Sequence, residues 1–260
     1  MSEGQALSGR VALVTGVSRR IGIGAAIVKR FLDDGASVFA TGWAPHDAEM
    51  PAGADPGGEE ALIAELNSGP ERFHYEAIDL EDPNAPERLV ASTIERFGTI
   101  DIVVANHARS CSQTLREVTA EELDKSWAVN TRASVLLAKS LLQLRPPGPN
   151  GRLILFTSGQ HLSPMRGEIP YVVSKGAIHQ ATASLADSMA EAGITVNCVN
   201  PGPVDTGYLF GDVHREVANR FPSGKWRQPS DVARLIAWLA SDESEWITGQ
   251  VIDSEGGYRR

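Results

Sequence analysis

Cysteine is scarce in this chain. Its 260 residues include two, Cys111 and Cys198, with no CxxC or Cys/His ligand spacing. That excludes a disulfide-stapled scaffold and a zinc module, and it points to a reduced, cytoplasmic protein with no metal site. No apolar run approaches the ~18 residues that a membrane span needs. The opening segment, MSEGQALSG, is polar and has no apolar signal core. Blocks of Lys or Arg are also absent, and 33 acidic against 24 basic residues leave a net charge of -9 and a pI near 5.2. A surface of that sign repels phosphate backbones and anionic lipid, so neither nucleic acid nor a membrane is expected as a partner. Internal repeats and linker-like shifts in composition are missing too.

What the chain does have is alternation. Short apolar runs at 11–14, 37–40, 73–78, 100–105, 152–156, 194–199 and 250–252 read as strands. Segments with helical spacing lie between them at 25–32, 85–97, 120–144, 171–191 and 231–240. Gly35, Gly98 and Gly193 sit where helices should end, and Pro146-Pro147-Gly148 closes the long one. Strand and helix in turn predict α/β architecture: one doubly wound parallel sheet with helices on both faces, in a single domain over 1–260. Two stretches, 42–58 and 203–228, read as long loops at the carboxyl edge of that sheet, where ligands bind in open α/β folds.

The first strand leads into Thr15-Gly16-Val17-Ser18-Arg19-Arg20-Ile21-Gly22-Ile23-Gly24. A dinucleotide site needs a glycine for the tight turn, one where backbone meets pyrophosphate, and one where helix and strand pack closely. A helix N-terminus must also face the phosphates. Gly16, Gly22 and Gly24 can fill these roles, although five residues separate the first two. Later come Tyr171 and Lys175, four apart and therefore on one helical face, where a phenol and an ammonium can converge on one ligand. A free tyrosine titrates near 10, and a neighbouring cation lowers that value toward useful acid–base chemistry. Ser158 follows the fifth strand, Asn130 lies in the long helix, and Asn200-Pro201-Gly202 follows the sixth strand.

In this order, these segments resemble the short-chain dehydrogenase/reductase family, and the likeness runs from Gly9 to Tyr258. The glycine turn resembles that family's TGxxxGxG with two residues inserted. A second alignment makes Gly22 the last glycine and puts Arg20 in the middle position. Tyr171 and Lys175 match the YxxxK signature, with Ser158 at a family-typical distance before it. The segment from Ile247 to Gly257 resembles the closing strand and GG turn, and among subgroups the chain looks closest to 3-oxoacyl-carrier-protein reductases. The resemblance implies a Rossmann-type fold and hydride transfer between a nicotinamide and a carbonyl or alcohol carbon. It also implies the roles. Ser158 orients the substrate oxygen, Tyr171 gives or takes the proton, and Lys175 binds the nicotinamide ribose. Asn130 links Lys175 to solvent through a water. The implied cofactor contacts are Gly16, Ser18, Arg19, Arg20, Gly22, Ile23, Gly24, Trp43, Asp79, Leu80, Asn106, Tyr171, Lys175, Pro201, Gly202, Val204 and Thr206. The family's usual assembly makes a homotetramer the expected state.

The sequence departs from the family at Ala105-Asn106-His107-Ala108, where NNAG is usual and only Asn106 survives. His107 reads as a packed, hydrogen-bonded histidine, with a place beside the nicotinamide as the alternative. His161 and Tyr208 are candidates for the substrate pocket. Asp79 suits either the adenine amine or a helix N-cap. Trp43 either stacks on adenine or covers its loop. The second strand ends in Thr41-Gly42-Trp43 without the acid that an NAD site uses, and Arg19 and Arg20 suit a 2′-phosphate, which favours NADP(H). NAD(H) remains open through Asp47 or Glu49 in the next loop. The 203–228 stretch, with Tyr208, Phe210, Phe221 and Trp226, reads as a lid over a partly apolar substrate. A scaffold or regulator that binds the cofactor without turnover is the competing reading.

Overall fold

The computed structural model of the protein describes residues 5–209 and 211–260. Residues 1–4 and Phe210, which the sequence reading assigned to the opening segment and the lid, lie outside the described residues. Among the described residues, β1 (Val11–Thr15), β2 (Ser37–Gly42), β3 (Phe73–Ala77), β4 (Ile102–Ala105), β5 (Gly151–Phe156), β6 (Ile194–Asn200) and β7 (Val251–Asp253) form one sheet. Its order is β3-β2-β1-β4-β5-β6-β7 and every pairing is parallel. A sheet covered on both faces buries every position of its central strands, as the fully buried β1 and β5 do.

Successive strand residues point to opposite faces, and two cores result. On one face Ala12, Val14, Val104 and Ile154 pack under Ile27 and Phe31 of α1 (Ile23–Asp33) and under Ile236 of the helix Pro229–Ala240. On the other, Leu13, Val103 and Leu153 meet Leu89 of the helix Ala85–Phe97, Leu137 of the helix Ala133–Leu144 and Ile178 of the helix Ile169–Ala190. Strand order reverses between β1 and β4, which opens a crevice at the carboxyl ends of the strands.

The predicted long loops contain helices. Residues 42–58 hold α2 (Ala44–Glu49), and α3 (Gly58–Leu66) starts at their end. The remaining helices are then α4 (Ala85–Phe97), α5 (Ala120–Ser126), α6 (Ala133–Leu144), α7 (Ile169–Ala190), α8 (Gly211–Asn219) and α9 (Pro229–Ala240). Helix α8 lies inside the predicted 203–228 loop; its apolar side is only Val213, Val217 and Ala218 in nine residues, none of them buried, which is too short a pattern for a sequence reading to separate from loop. The predicted 120–144 helix is interrupted: Trp127–Arg132 is a π-helical stretch between α5 and α6. No described helix is long and apolar enough to cross a membrane.

Candidate active site

Three glycines shape the crevice floor. Gly16 sits at φ 72°, where side chains are rarely accommodated, and an added Cβ would lie 2.7 Å from the His107 nitrogen. At Gly24 a Cβ would come within 2.3 Å of the Gly16 carbonyl oxygen. Gly24 is therefore the glycine that lets helix and turn pack closely, and this geometry matches the inserted alignment. Gly22 is the N-cap of α1, with no side chain capping the helix amides. Asn106 fastens the arrangement by donating to the carbonyls of Thr15 and Gly16, at 3.1 and 3.0 Å. Uncapped amides beside a turn with no room for side chains suit a diphosphate.

Two cavities share this floor. One, of about 230 Å³, is lined by Ser18, Trp43, Asp79 and Leu80 among others and lies toward β2 and β3. Asp79 accepts from the Glu81 amide at 2.8 Å, while α4 has Asn84 as its N-cap, so Asp79 caps a turn and not that helix. The other cavity, of about 570 Å³, holds Gly22, Ile23, Tyr171, Lys175, Pro201, Thr206 and Tyr208. Gly202 and Val204 line neither. Gly202 is held by Asn200 at 3.0 Å, and Val204 packs on the core.

Tyr171 and Lys175 both face the larger cavity, with the ammonium 5.8 Å from the phenol ring centre. Lys175 is 3% exposed and donates to the Phe156 carbonyl at 3.0 Å. Burial pushes its ammonium down to about 8. Burial also pushes the Tyr171 phenol up to about 12, while a hydrogen bond from Ser158 pulls the other way. The expectation that Lys175 draws the phenol down is not met here, because desolvation is the larger effect and Lys175 is not among the groups shifting the phenol.

Asn130 is fully buried in the π-helical stretch, a feature that recurs at functional sites. Its amide donates to the Arg109 carbonyl at 2.9 Å and to the Ser174 hydroxyl at 2.8 Å, and it accepts from the Arg109 amide at 2.6 Å. Both amide protons are thus spent on protein partners that lock α7 against the loop after β4. His107 is buried between Thr15, at 2.7 Å, and Ser134. Burial and the Lys175 charge push it down to about 3, so it is a neutral, hydrogen-bonded histidine, and it also lines the smaller cavity.

The arginines of the turn part company. Arg20 is tied to Asp55 through its backbone amide and both Nε and a terminal nitrogen, at 2.8 to 2.9 Å, and it lines neither cavity. The sequence expectation that Arg20 meets the cofactor is not supported by this placement, since Asp55 holds Nε and one terminal nitrogen and the side chain lines neither cavity. Arg19 is 8% exposed, lies 4.6 Å from the Tyr208 ring centre, and has Nε and one terminal nitrogen without a partner. Buried guanidinium donors without a protein acceptor suit an anionic group.

His161 is not brought to the site. It bonds Asp253 at 3.1 Å beside the His179 ring and lines neither cavity, because the short 3₁₀ turn after Ser158 carries it toward β7. Conversely, Glu168, Met50, Ser110 and Ser112 line the larger cavity without having been singled out. Glu168 had a signal, lying one helical turn before Tyr171; the others are placed by loops. Asp47, the acid of the predicted loop, is 8% exposed and lines both cavities with one carboxylate oxygen unpartnered.

The chain belongs to the short-chain dehydrogenase/reductase family, a family of nicotinamide-using oxidoreductases. A family model described as Enoyl-(Acyl carrier protein) reductase matches residues 16–259. An uncharacterized oxidoreductase of Bacillus subtilis, YjdA, is 38% identical over 253 residues, covering 96% of this chain and 97% of that protein. Versicolorin reductase 1 of Aspergillus parasiticus is 33% identical over 277 residues and 99% of each chain. Among solved structures, a blue fluorescent protein from a metagenomic library, in complex with NADPH, is 30% identical with a TM-score of 0.84, covering 98% of this chain and 100% of that one. None of these names a 3-oxoacyl-carrier-protein reductase.

Proposed function

We propose that the protein is an NADP(H)-dependent carbonyl reductase or alcohol dehydrogenase, acting on a ketone such as a 3-oxoacyl thioester. The observation that carries this reading is the convergence of Tyr171 and Lys175 on a cavity floored by the Gly16–Gly24 turn, with Ser158, which lines neither cavity, hydrogen-bonded to the phenol. The residues fit a nicotinamide dinucleotide: the turn has no room for side chains, the α1 amides are uncapped, and Arg19 has buried donors without a protein partner. When bound, the cofactor supplies the hydride. Ser158 orients the carbonyl oxygen and Tyr171 delivers its phenolic proton to that oxygen. Lys175 holds the ribose of the nicotinamide, and Asn130 keeps α7 in register with the loop after β4. Incubation with NADPH and a panel of ketones tests the reading through loss of NADPH absorbance. Cofactor binding without turnover would favour the scaffold.

The preference for NADP(H) is supported by the missing acid at the end of β2, the free Arg19 guanidinium and the NADPH-bound structural neighbour. NADPH is expected to bind about tenfold more tightly than NADH, the scale of a charge-assisted hydrogen bond. Arg19→Met should erase most of that difference in fluorescence titrations. Tighter binding of NADH would sink this assignment and point to Asp47. Homotetramer assembly is supported by apolar side chains left facing solvent, Val135 and Leu142 on α6 and Val173 on α7, at 38%, 40% and 51% exposure. Light scattering should give about four times the 27.9 kDa chain mass. A monomer at micromolar concentration would refute it.

A further inference from the structure

Besides Asp47, which also lines the smaller cavity toward β2, Glu168 is the acid of the larger cavity that the proposed chemistry does not use. It sits just before α7 with backbone angles outside the helix, and its side chain does not cap that helix. It lines the cavity with Tyr171, Ser112 and Leu209 instead. Asp47 also has an unpartnered oxygen but belongs to the part of the crevice shared with the smaller cavity, while Asp55, Glu122 and Asp205 are engaged by Arg20, Arg109 and His214. The Glu168 carboxyl has no hydrogen bond or ion pair among the described residues. Burial alone holds it above the usual carboxylate range, with no donor or cation pulling it back. Its charge also disfavours the Tyr171 phenolate, so the two groups share one field.

A partly buried carboxyl without a partner is costly, and a ligand that brings a donor relieves that cost. Ionised or protonated, a carboxyl accepts a hydrogen bond from a hydroxyl, and in its ionised form it repels an anion. Leu209 and Met50 offer apolar surface nearby for a carbon skeleton. We infer that Glu168 is a specificity-determining residue. It selects ketones, or their alcohols, that carry a hydroxyl beside the reacting carbonyl, and it excludes those carrying negative charge there. The inference rests on the reductase reading of the same cavity and adds its substrate class.

Three phenyl ketones separate the possibilities: 2-hydroxyacetophenone, its methyl ether, and the anion benzoylformate. Their binding to the full-length protein saturated with oxidised cofactor is measured by tryptophan fluorescence, and their turnover with NADPH in parallel. Wild type should bind the hydroxy ketone about tenfold more tightly than the ether, and benzoylformate least. Glu168→Gln keeps an acceptor oxygen but no charge. It should hold the hydroxy ketone within about threefold and gain about tenfold on benzoylformate. Glu168→Leu should bring the hydroxy ketone and the ether to equal affinity. In turnover these changes should fall on KM more than kcat. Equal or undetectable binding of the three by wild type, or unchanged ratios in both variants, overturns the inference. Selective binding without NADPH consumption overturns the reductase reading and leaves the role of Glu168 standing.

Discussion

Tyr171→Phe is expected to lower kcat by about a thousandfold, in the range for loss of a positioned general acid. The dissociation constant for NADPH should stay within about twofold of wild type, because the interaction lost belongs to the transition state. The physical reason is the economy of the change. The aromatic ring and its packing remain, and only the hydroxyl beside Ser158 goes. Burial holds that phenol near 12, so it keeps its proton at neutral pH until a substrate oxygen of rising basicity takes it. Phenylalanine has no proton to give. Single-turnover rates and NADPH titrations on the same preparation check both halves. Near-normal turnover would remove Tyr171 from the acid–base role, and loss of NADPH binding would make it a cofactor ligand first.

Lys175→Met is expected to abolish measurable turnover and, below pH 8, to make the protein more stable by about 2 kcal/mol. The wild-type ammonium is buried with one carbonyl partner, and its value falls from 10.5 to about 8. A shift of that size corresponds to roughly 3 kcal/mol of strain in the charged form, at 1.36 kcal/mol per unit. Methionine removes the charge but leaves the Phe156 carbonyl without its donor, which offsets part of the gain. The pH dependence has a definite sign. Between about 8 and 10.5 the unfolded chain binds this proton and the folded one does not, so wild-type stability rises with pH there. The advantage of the variant is therefore full below pH 8 and gone by about pH 10.5. Urea unfolding at pH 7, 9 and 10.5 measures it. A variant less stable than wild type at pH 7 would show that Lys175 supports the fold rather than straining it.

Much of the site was legible because its logic is local. Tyr171 and Lys175 lie one turn apart whatever surrounds the helix. Gly16 and Gly24 announce a backbone with no room for Cβ atoms. His107 reads as a packed, hydrogen-bonded histidine because that is the commoner state of a single histidine in a core. Arg20 was not readable in the same way: its partner Asp55 lies 35 residues on, in a stretch with no periodic pattern. His161 failed for a similar reason, since three residues of 3₁₀ turn decide whether it faces the cavity or Asp253.

The sequence by itself determined the alternation of strand and helix, the family, the glycine turn and the phenol–ammonium pair. These follow from periodicity, from steric demands of single residues and from spacing within one element. Only the tertiary structure decided which face each loop side chain presents. It turned Arg19 into a buried cation without an acceptor and tied Arg20 to Asp55. It bent the 120–144 helix into a π turn around Asn130, and it left Glu168 unpartnered beside Tyr171. Such outcomes depend on pairings between distant segments, and on the desolvation that the whole packed surround imposes on each charge.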